Sequence, residues 1–434
     1  MFISAWWILL LSIPVLLLGE FLVKRVRLLS RYNIPAPVAG GLLVSIVVLG
    51  LNLMGVEISF GSKVAAKWWT WLVTTEIEWA KTPALDVNRP FLVAFFTCVG
   101  LNASWSLVKK GGVQVLIFLC VGALLAVIQN GVGVALAKMM GVPALLGLVC
   151  GSVTMTGGHG TALGFAGEFE NAGLEGAAVF GAAAATFGLV AGGLIGGPVG
   201  GTLIRKFSLK PAADRETHLE VAATGQSGIL QDFRTLAGCG LKFLLHLLVL
   251  LVCIKIGSWI SYGIQQIEIP RADKPPFKLV FPVYMGALLL GIVLRNAVDA
   301  VRKGWLHTEI IDTLGSVSLG IFLAIAMMGL NLMDLAQVAL PMLVILGVQV
   351  AVMAAFAWFV TFRIMGRDYD AGVMAGGHCG FGLGATPNAV ANMKSIVEKY
   401  GPAPRAFLVV PIVGAFLLDF LNAMNITFFL NAVK

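Results

Sequence analysis

Two short stretches of this sequence concentrate groups that bind ions. In the first, Ser152, Thr154 and Thr156 alternate ahead of Gly157, Gly158, His159 and Gly160, and Thr161 follows. In the second, Gly380, Gly382 and Gly384 lead through Ala385 into Thr386, Pro387 and Asn388. Both combine small polar side chains with glycines that free the backbone from a regular helix. A broken helix exposes unpaired N–H groups at one stub and unpaired C=O groups at the other, each end equivalent to about half a unit of charge. The first suits a carboxylate and the second a metal cation. Proline is at home in a helix's first turn, so the second stretch reads as one stub halting and another starting. The expectation is that both tips converge on one anion. Close helix packing is the competing use of such residues in membranes.

A third feature is Asp419, in the middle of the apolar run PIVGAFLLDFLNAMNITFF. An ionised group at the centre of a bilayer costs about 2.5–3.5 kcal/mol on insertion scales, so it needs a partner. Asn422 and Asn425 follow at three and six residues, giving a polar stripe able to coordinate sodium or meet a substrate ammonium. Asn102 and Asn331, each closing a GLN triplet, are further cation-ligand candidates, with plain interhelical hydrogen bonds as the alternative.

These residues must be positioned in lipid. The chain of 434 residues is 58% apolar and only 12% charged, with a mean hydropathy of +0.92, against about 45–50% and 25% for soluble domains. Its apolar residues fall in runs long enough to cross the hydrocarbon, where the backbone must bond within the segment, so the runs are helices. Ten spans are expected, near 6–23, 34–55, 90–107, 113–137, 174–204, 238–263, 279–299, 309–332, 337–362 and 403–431. The glycine-broken pieces near 143–168 and 370–394 read as re-entrant hairpins, which are tolerated at membrane depth only inside protein or beside a wet cavity. The polar stretch from Arg205 to about residue 236 reads as a linker between a first repeat, 1–204, and a second, 237–434. The fold class expected is all-α and polytopic, two inverted five-helix repeats, each with a hairpin.

Repetition supports that division. A shift of 225 lays residues 139–162 on 364–387 without gaps and superposes Met140, Gly141, Gly147, Gly151, Gly157 and Thr161 on Met365, Gly366, Gly372, Gly376, Gly382 and Thr386. Broken helices at corresponding places in two inverted halves point to a secondary-transporter site near the midplane. Lys24, Arg25, Arg27, Arg31, Lys109, Lys110, Arg205, Lys206, Lys210, Arg295, Arg302, Lys303, Arg363 and Arg367 all fall on one side if both termini are outside and the linker is cytoplasmic. The same placement explains the net charge of +8 without nucleic acid. The segment 62–88, with Trp68, Trp69, Trp71 and Trp79, is too charged to span and reads as an outer-face helix lying in the interface.

Other chemistry fits poorly. His159 and His378 each follow a Gly-Gly pair, but the shift does not superpose them, so they read as hydrogen-bonded structural histidines rather than a symmetric metal site. The six cysteines lack pairing or ligand spacing, and Cys379 beside His378 lacks an orienting third group. The opening run from Trp6 lacks a basic region before it and a cleavage site after it, so it reads as the first span. No cofactor is expected beyond a coupling ion, and no enzyme constellation such as HExxH is present.

The segments NIPAPVAGGLL (33–43), GLNA (100–103), TGGHGTA (156–162), TFGLVAGGLIGGPV (186–199) and GHCGFGLGATPNAVANM (377–393) together resemble the bacterial glutamate:sodium symporter family. The resemblance runs from about Trp6 to Leu430. It implies a homodimeric elevator carrier in the inner membrane, with a scaffold from the early helices of each half and a mobile domain from the rest. It implies glutamate as substrate and sodium as coupling ion, carried by residues 151–161 and 380–392. Asn388 departs from the smaller residue expected after the Thr-Pro pair, and the insert 62–88 is longer than usual. The nearest rival is the same architecture carrying another di- or tricarboxylate, driven by sodium or protons. Asp419 is available for an ammonium, and no arginine or lysine lies well inside either hairpin core, as a citrate-like substrate would ask. A channel or a membrane enzyme is the distant alternative.

Overall fold

The computed structural model describes residues 2–32, 34–211, 228–269, 277–278, 281–302 and 304–433. Asn33, Lys303 and residues 212–227, the middle of the expected linker, lie outside them. The chain is helical almost throughout, and its strands are two-residue pairs such as Lys63–Val64 with Leu85–Asp86. The helices are α1 (Ala5–Arg25), α2 (Ala36–Leu53), α3 (Arg89–Asn102), α4 (Trp105–Met139), α5 (Ala144–Leu148), α6 (Gly158–Asn171) and α7 (Ala177–Lys206). After the linker come α8 (Ile229–Gly238), α9 (Leu241–Gln265), α10 (Val283–Val301), α11 (Thr308–Met328) and α12 (Leu332–Phe356). The last are α13 (Tyr369–Gly382), α14 (Thr386–Tyr400), α15 (Pro404–Ile412) and α16 (Leu418–Val433).

Among the described residues eight helices are long and apolar enough to cross a membrane, where ten spans were expected. The two exceptions have physical causes. Helix α3 has 14 residues and stops at Asn102, because the chain end that would continue it is held by α10. Arg295 donates to the Leu101 carbonyl at 3.4 Å and Asn296 to the Ala103 carbonyl at 2.9 Å. The final run is split into α15 and α16 by a wide π turn at Val413–Leu417, which releases the Gly414 carbonyl to accept the Thr386 hydroxyl at 2.6 Å. The expected linker also contains structure: α8 buries Ile229, Asp232 and Leu236, and the Ile229 N–H donates to the Glu20 carboxylate. The segment 62–88 forms three short pieces rather than one helix, with a capping box at Thr75 and Glu78 and stacked Trp6 and Trp68 rings 5.3 Å apart.

The chain divides into two compact units, each drawn from both halves of the sequence. One comprises Met1–Leu29, Pro35–Ser104 and Ser227–Leu332, and so holds α1 to α3 and α8 to α11. Here α1 and α2 approach closely at Gly40, where an added side-chain carbon would lie 2.2 Å from the Val15 carbonyl oxygen. The other comprises Ser30–Ile34, Trp105–Gln226 and Met333–Lys434, and holds both glycine-broken segments. Its seam is α7 against α13, with Gly188, Gly192, Gly196 and Gly200 at four-residue spacing facing the α13 backbone. Within this unit the succession of elements recurs: a long apolar helix, a broken segment, then a helical stretch of 30 residues, Ala177–Lys206 the first time and Pro404 to Val433 the second.

Candidate functional site

Both broken segments break where the glycines are. The first runs through α5 and a π turn at Val149–Val153, then turns at 154–157 into α6. Its first arm lies back along α4, the Gly147 and Gly133 backbones being too close for any side chain, and its second arm packs on α7. The second segment ends α13 at Gly382 and begins α14 at Thr386, and its arms fold back directly on each other, Gly380 against Ala389. The first segment differs in that its arms pack chiefly on the long helices to either side.

The two breaks meet. Gly158 has φ +61°, and a side-chain carbon there would lie 2.7 Å from the Gly384 carbonyl oxygen, so only glycine fits both the backbone and the approach. Gly158 opens α6 and Gly384 sits two residues ahead of α14, so two helix N-termini, with their positive dipole ends, are brought to one place. Gln129, fully buried on α4, ties the pair together. Its Oε1 accepts from the Thr156 hydroxyl at 2.7 Å and its Nε2 donates to the Gly382 carbonyl at 2.7 Å. Gln349 on α12 donates in turn to the Gln129 backbone carbonyl at 2.7 Å.

A second cluster lies where Ser152 meets the C-terminal helix. Asn130 Oδ1 accepts from the Ser152 N–H at 2.8 Å, and Asn422 Nδ2 donates to the Ser152 carbonyl at 3.0 Å. Asn425 Nδ2 lies 3.4 Å from the Ser152 hydroxyl. The Asn422 Oδ1 and the Asn130 Nδ2 are buried with no hydrogen-bond partner among the described residues. Asp419, one helical turn before Asn422, likewise has no hydrogen bond or ion pair among them. Carboxylate, amide and hydroxyl oxygens are the donor types that a hard cation takes.

The other expected site residues divide between exposed chemistry and internal support. The Thr154 hydroxyl is spent on the Val149 carbonyl at 2.6 Å, holding the π turn. The Thr186 hydroxyl donates to the Ala182 carbonyl, so His159 Nε2, 2.9 Å away, is the donor of that pair, and His159 fastens α6 to α7. Thr161 is buried against Gly157, Gly160 lies in the first turn of α6, and Ala385 immediately precedes α14. Asn388, expected at the substrate, donates to the Leu189 carbonyl at 2.8 Å, and Asn392 repeats that contact one turn on, at Gly192. His378 Nδ1 pairs with the Thr361 hydroxyl at 2.8 Å. Asn102 and Asn331, expected as sodium ligands, fall in the other compact unit. Asn102 donates there to Asp312 at 2.6 Å, in a network with Ser104, Asp299 and Arg295, and Asn331 is exposed just past α11. The GLN echo thus marks two helix ends.

Sequence reasoning missed Gln129, Asn130 and Gln349. Each is an amide in the middle of an apolar run and fully buried, the same signal that singled out Asp419.

The chain matches the family described as sodium/glutamate symporter over residues 1–75 and 64–402. It is 39% identical over 424 residues to the sodium/glutamate symporter of Haemophilus influenzae, covering 97% of this chain and 95% of that protein. It is 40% identical over 418 residues to the proteins of the same name from Escherichia coli and Shigella flexneri, covering 96% of this chain and 94% of each. With membrane-length apolar helices carrying two broken segments whose tips meet, and this likeness along nearly the whole length, the chain belongs to the sodium/glutamate symporter family.

Proposed function

We propose that this chain is a secondary carrier that moves glutamate with sodium across the bacterial inner membrane. The observation that carries the reading is the meeting of the α6 and α14 N-termini at Gly158 and Gly384. Two positive helix ends side by side are suited to the carboxylates of an acidic amino acid, held at the starts of α6 and α14 without a buried arginine. Asp419, Asn422 and the Ser152 oxygens take sodium, or Asp419 meets the substrate ammonium, so that carboxylate and cation each lower the cost of burying the other. Gln129 couples the tips, so occupancy of one is felt at the other.

The finer architecture belongs to the same reading. The two broken segments are re-entrant hairpins of inverted repeats 1–204 and 237–434, and the recurring succession of elements at a shift of about 225 supports it. The unit holding the broken segments moves as the elevator, the other serves as the scaffold of a homodimer, and their interleaved composition supports that assignment. The basic residues at helix ends support a cytoplasmic linker and external termini.

The test is uptake of labelled L-glutamate into liposomes holding the purified protein, under sodium, potassium or proton gradients, with Asp419→Asn and Thr386→Ala. Accumulation that requires sodium, with the Asp419→Asn variant needing about tenfold more sodium or losing uptake, is expected. Thr386→Ala frees the Gly414 carbonyl and lowers uptake. Transport of dicarboxylates but not glutamate would keep the architecture and remove the substrate, and proton-driven uptake indifferent to sodium would remove the ion.

A further inference from the structure

Away from the broken segments, three helix ends of the first unit enclose a cavity of about 400 Å³ lined by Lys242, Leu245, His246, Arg302, Trp305 and His307. Lys242 lies in the first turn of α9, Arg302 directly follows α10, and His307 caps α11. The walls are held rigidly. His246 Nδ1 donates to the Lys242 carbonyl at 2.7 Å, and the His307 N–H donates to His246 Nε2 at 2.9 Å. Both ring nitrogens are thereby used, which fixes His246 as a strut between the loop and α9. The Trp305 indole lies nearly parallel to that ring, centroids 6.2 Å apart.

The cations of this cavity are uncommitted. Among the described residues, Lys242 and Arg302 are exposed and form no ion pair, and no acidic side chain lines the space. Running away from the cavity along α9, Leu241, Leu245, Leu248, Val252 and Ile256 recur at three- and four-residue spacing, all exposed, Leu248 by 58%. A cationic cup with a tryptophan at its rim, opening onto an unbroken apolar stripe, has the charge and polarity profile of a phospholipid: phosphate in the cup, acyl chains along the helix. A free phosphate would use the cup and leave the stripe unexplained.

We propose that this cavity is a binding site for an anionic glycerophospholipid. Lys242, Arg302 and His307 hold the headgroup phosphate, Trp305 marks the interface, and the α9 stripe seats one acyl chain. The site is independent of the substrate reading, since none of its residues lies in the unit that holds the broken segments.

Native mass spectrometry of the purified full chain tests it, because it reads bound lipid and number of copies together. Phosphatidylglycerol and phosphatidylcholine of the same acyl chains are titrated separately, and inorganic phosphate is added as a third probe. Tighter retention of phosphatidylglycerol is expected, weakened about fivefold for each charge removed, so about 25-fold in the Lys242→Gln, Arg302→Gln double variant, with phosphatidylcholine unchanged. The Arg363→Gln variant, which removes a basic residue at a different helix end, is expected to retain lipid as the parent does. Retention indifferent to the double variant overturns the proposal. So does displacement of the lipid by inorganic phosphate alone, which would make it a free-anion site, or a second copy of the chain covering the stripe and excluding lipid.

Discussion

Replacing Gln129 with leucine removes a side chain that bonds both broken segments while keeping volume in a fully buried position. Two bonds are lost, one to the Thr156 hydroxyl and one to the Gly382 carbonyl, both at 2.7 Å. In water-soluble cores each group left unsatisfied costs about 1–3 kcal/mol. Bonds between membrane helices average about 0.6 kcal/mol and reach about 1.7, because the separated helices also find partners. The membrane values apply here, so the two bonds together contribute about 1–3 kcal/mol to holding the tips in register. If the tips must meet for the anion to bind, KM for glutamate rises about five- to 150-fold while the amount of folded protein in the membrane stays near that of the parent. The assay is sodium-driven uptake in liposomes across a glutamate series, with thermal unfolding of the same samples. Thr156→Val provides a cycle: it removes one of the two bonds, so its effect and that of Gln129→Leu combine less than additively. A KM within twofold of the parent for Gln129→Leu, with unfolding unchanged, would refute the idea that this amide couples the tips.

Other outcomes follow from the same geometry. At Gly196 an added side-chain carbon would lie 2.0 Å from Asn392 Nδ2 and 2.6 Å from the Gly376 carbonyl, whereas at Gly193 its nearest neighbour is the Tyr32 ring at 3.7 Å. Gly196→Ala is therefore expected to destabilise the α7–α13 seam by about 1–3 kcal/mol and Gly193→Ala to be tolerated, as read by melting of the two variants side by side. In the tryptophan-rich segment, Lys67 lies 2.8 Å from Glu76 and holds its carboxyl below the ordinary carboxylate range. A depressed acid contributes above its unfolded value and loses that contribution as pH falls through the folded one. Acidification into the carboxylate range should therefore change the fluorescence of the neighbouring Trp6, Trp68 and Trp69 cluster, and high salt should shrink the change because the pair is exposed. An unaltered spectrum through that range at low salt would show that the pair does not order the segment.

What could be read from the chain itself was whatever depends on local pattern. Runs of apolar residues set most of the spans, and glycines at 157–160 and 380–384 marked both breaks to within a few residues, because lost backbone bonds and missing side chains are written where they occur. Asp419 stood out because a carboxylate in such a run has no local means of compensation. The roles of individual polar groups were decided elsewhere. Gln129 bonds a carbonyl 253 residues away, the Asn388 amide donates to Leu189 and the Asn102 amide to Asp312, so an amide that looked like filler became the link between the tips. The shortened α3 and the split last helix have the same origin, since Arg295 and Thr386 reach in from distant segments to take carbonyls that an isolated helix would have kept. Hydrogen-bond partners at that separation are chosen by packing, and only the folded arrangement specifies which amide, hydroxyl or carbonyl is left free to bind a ligand.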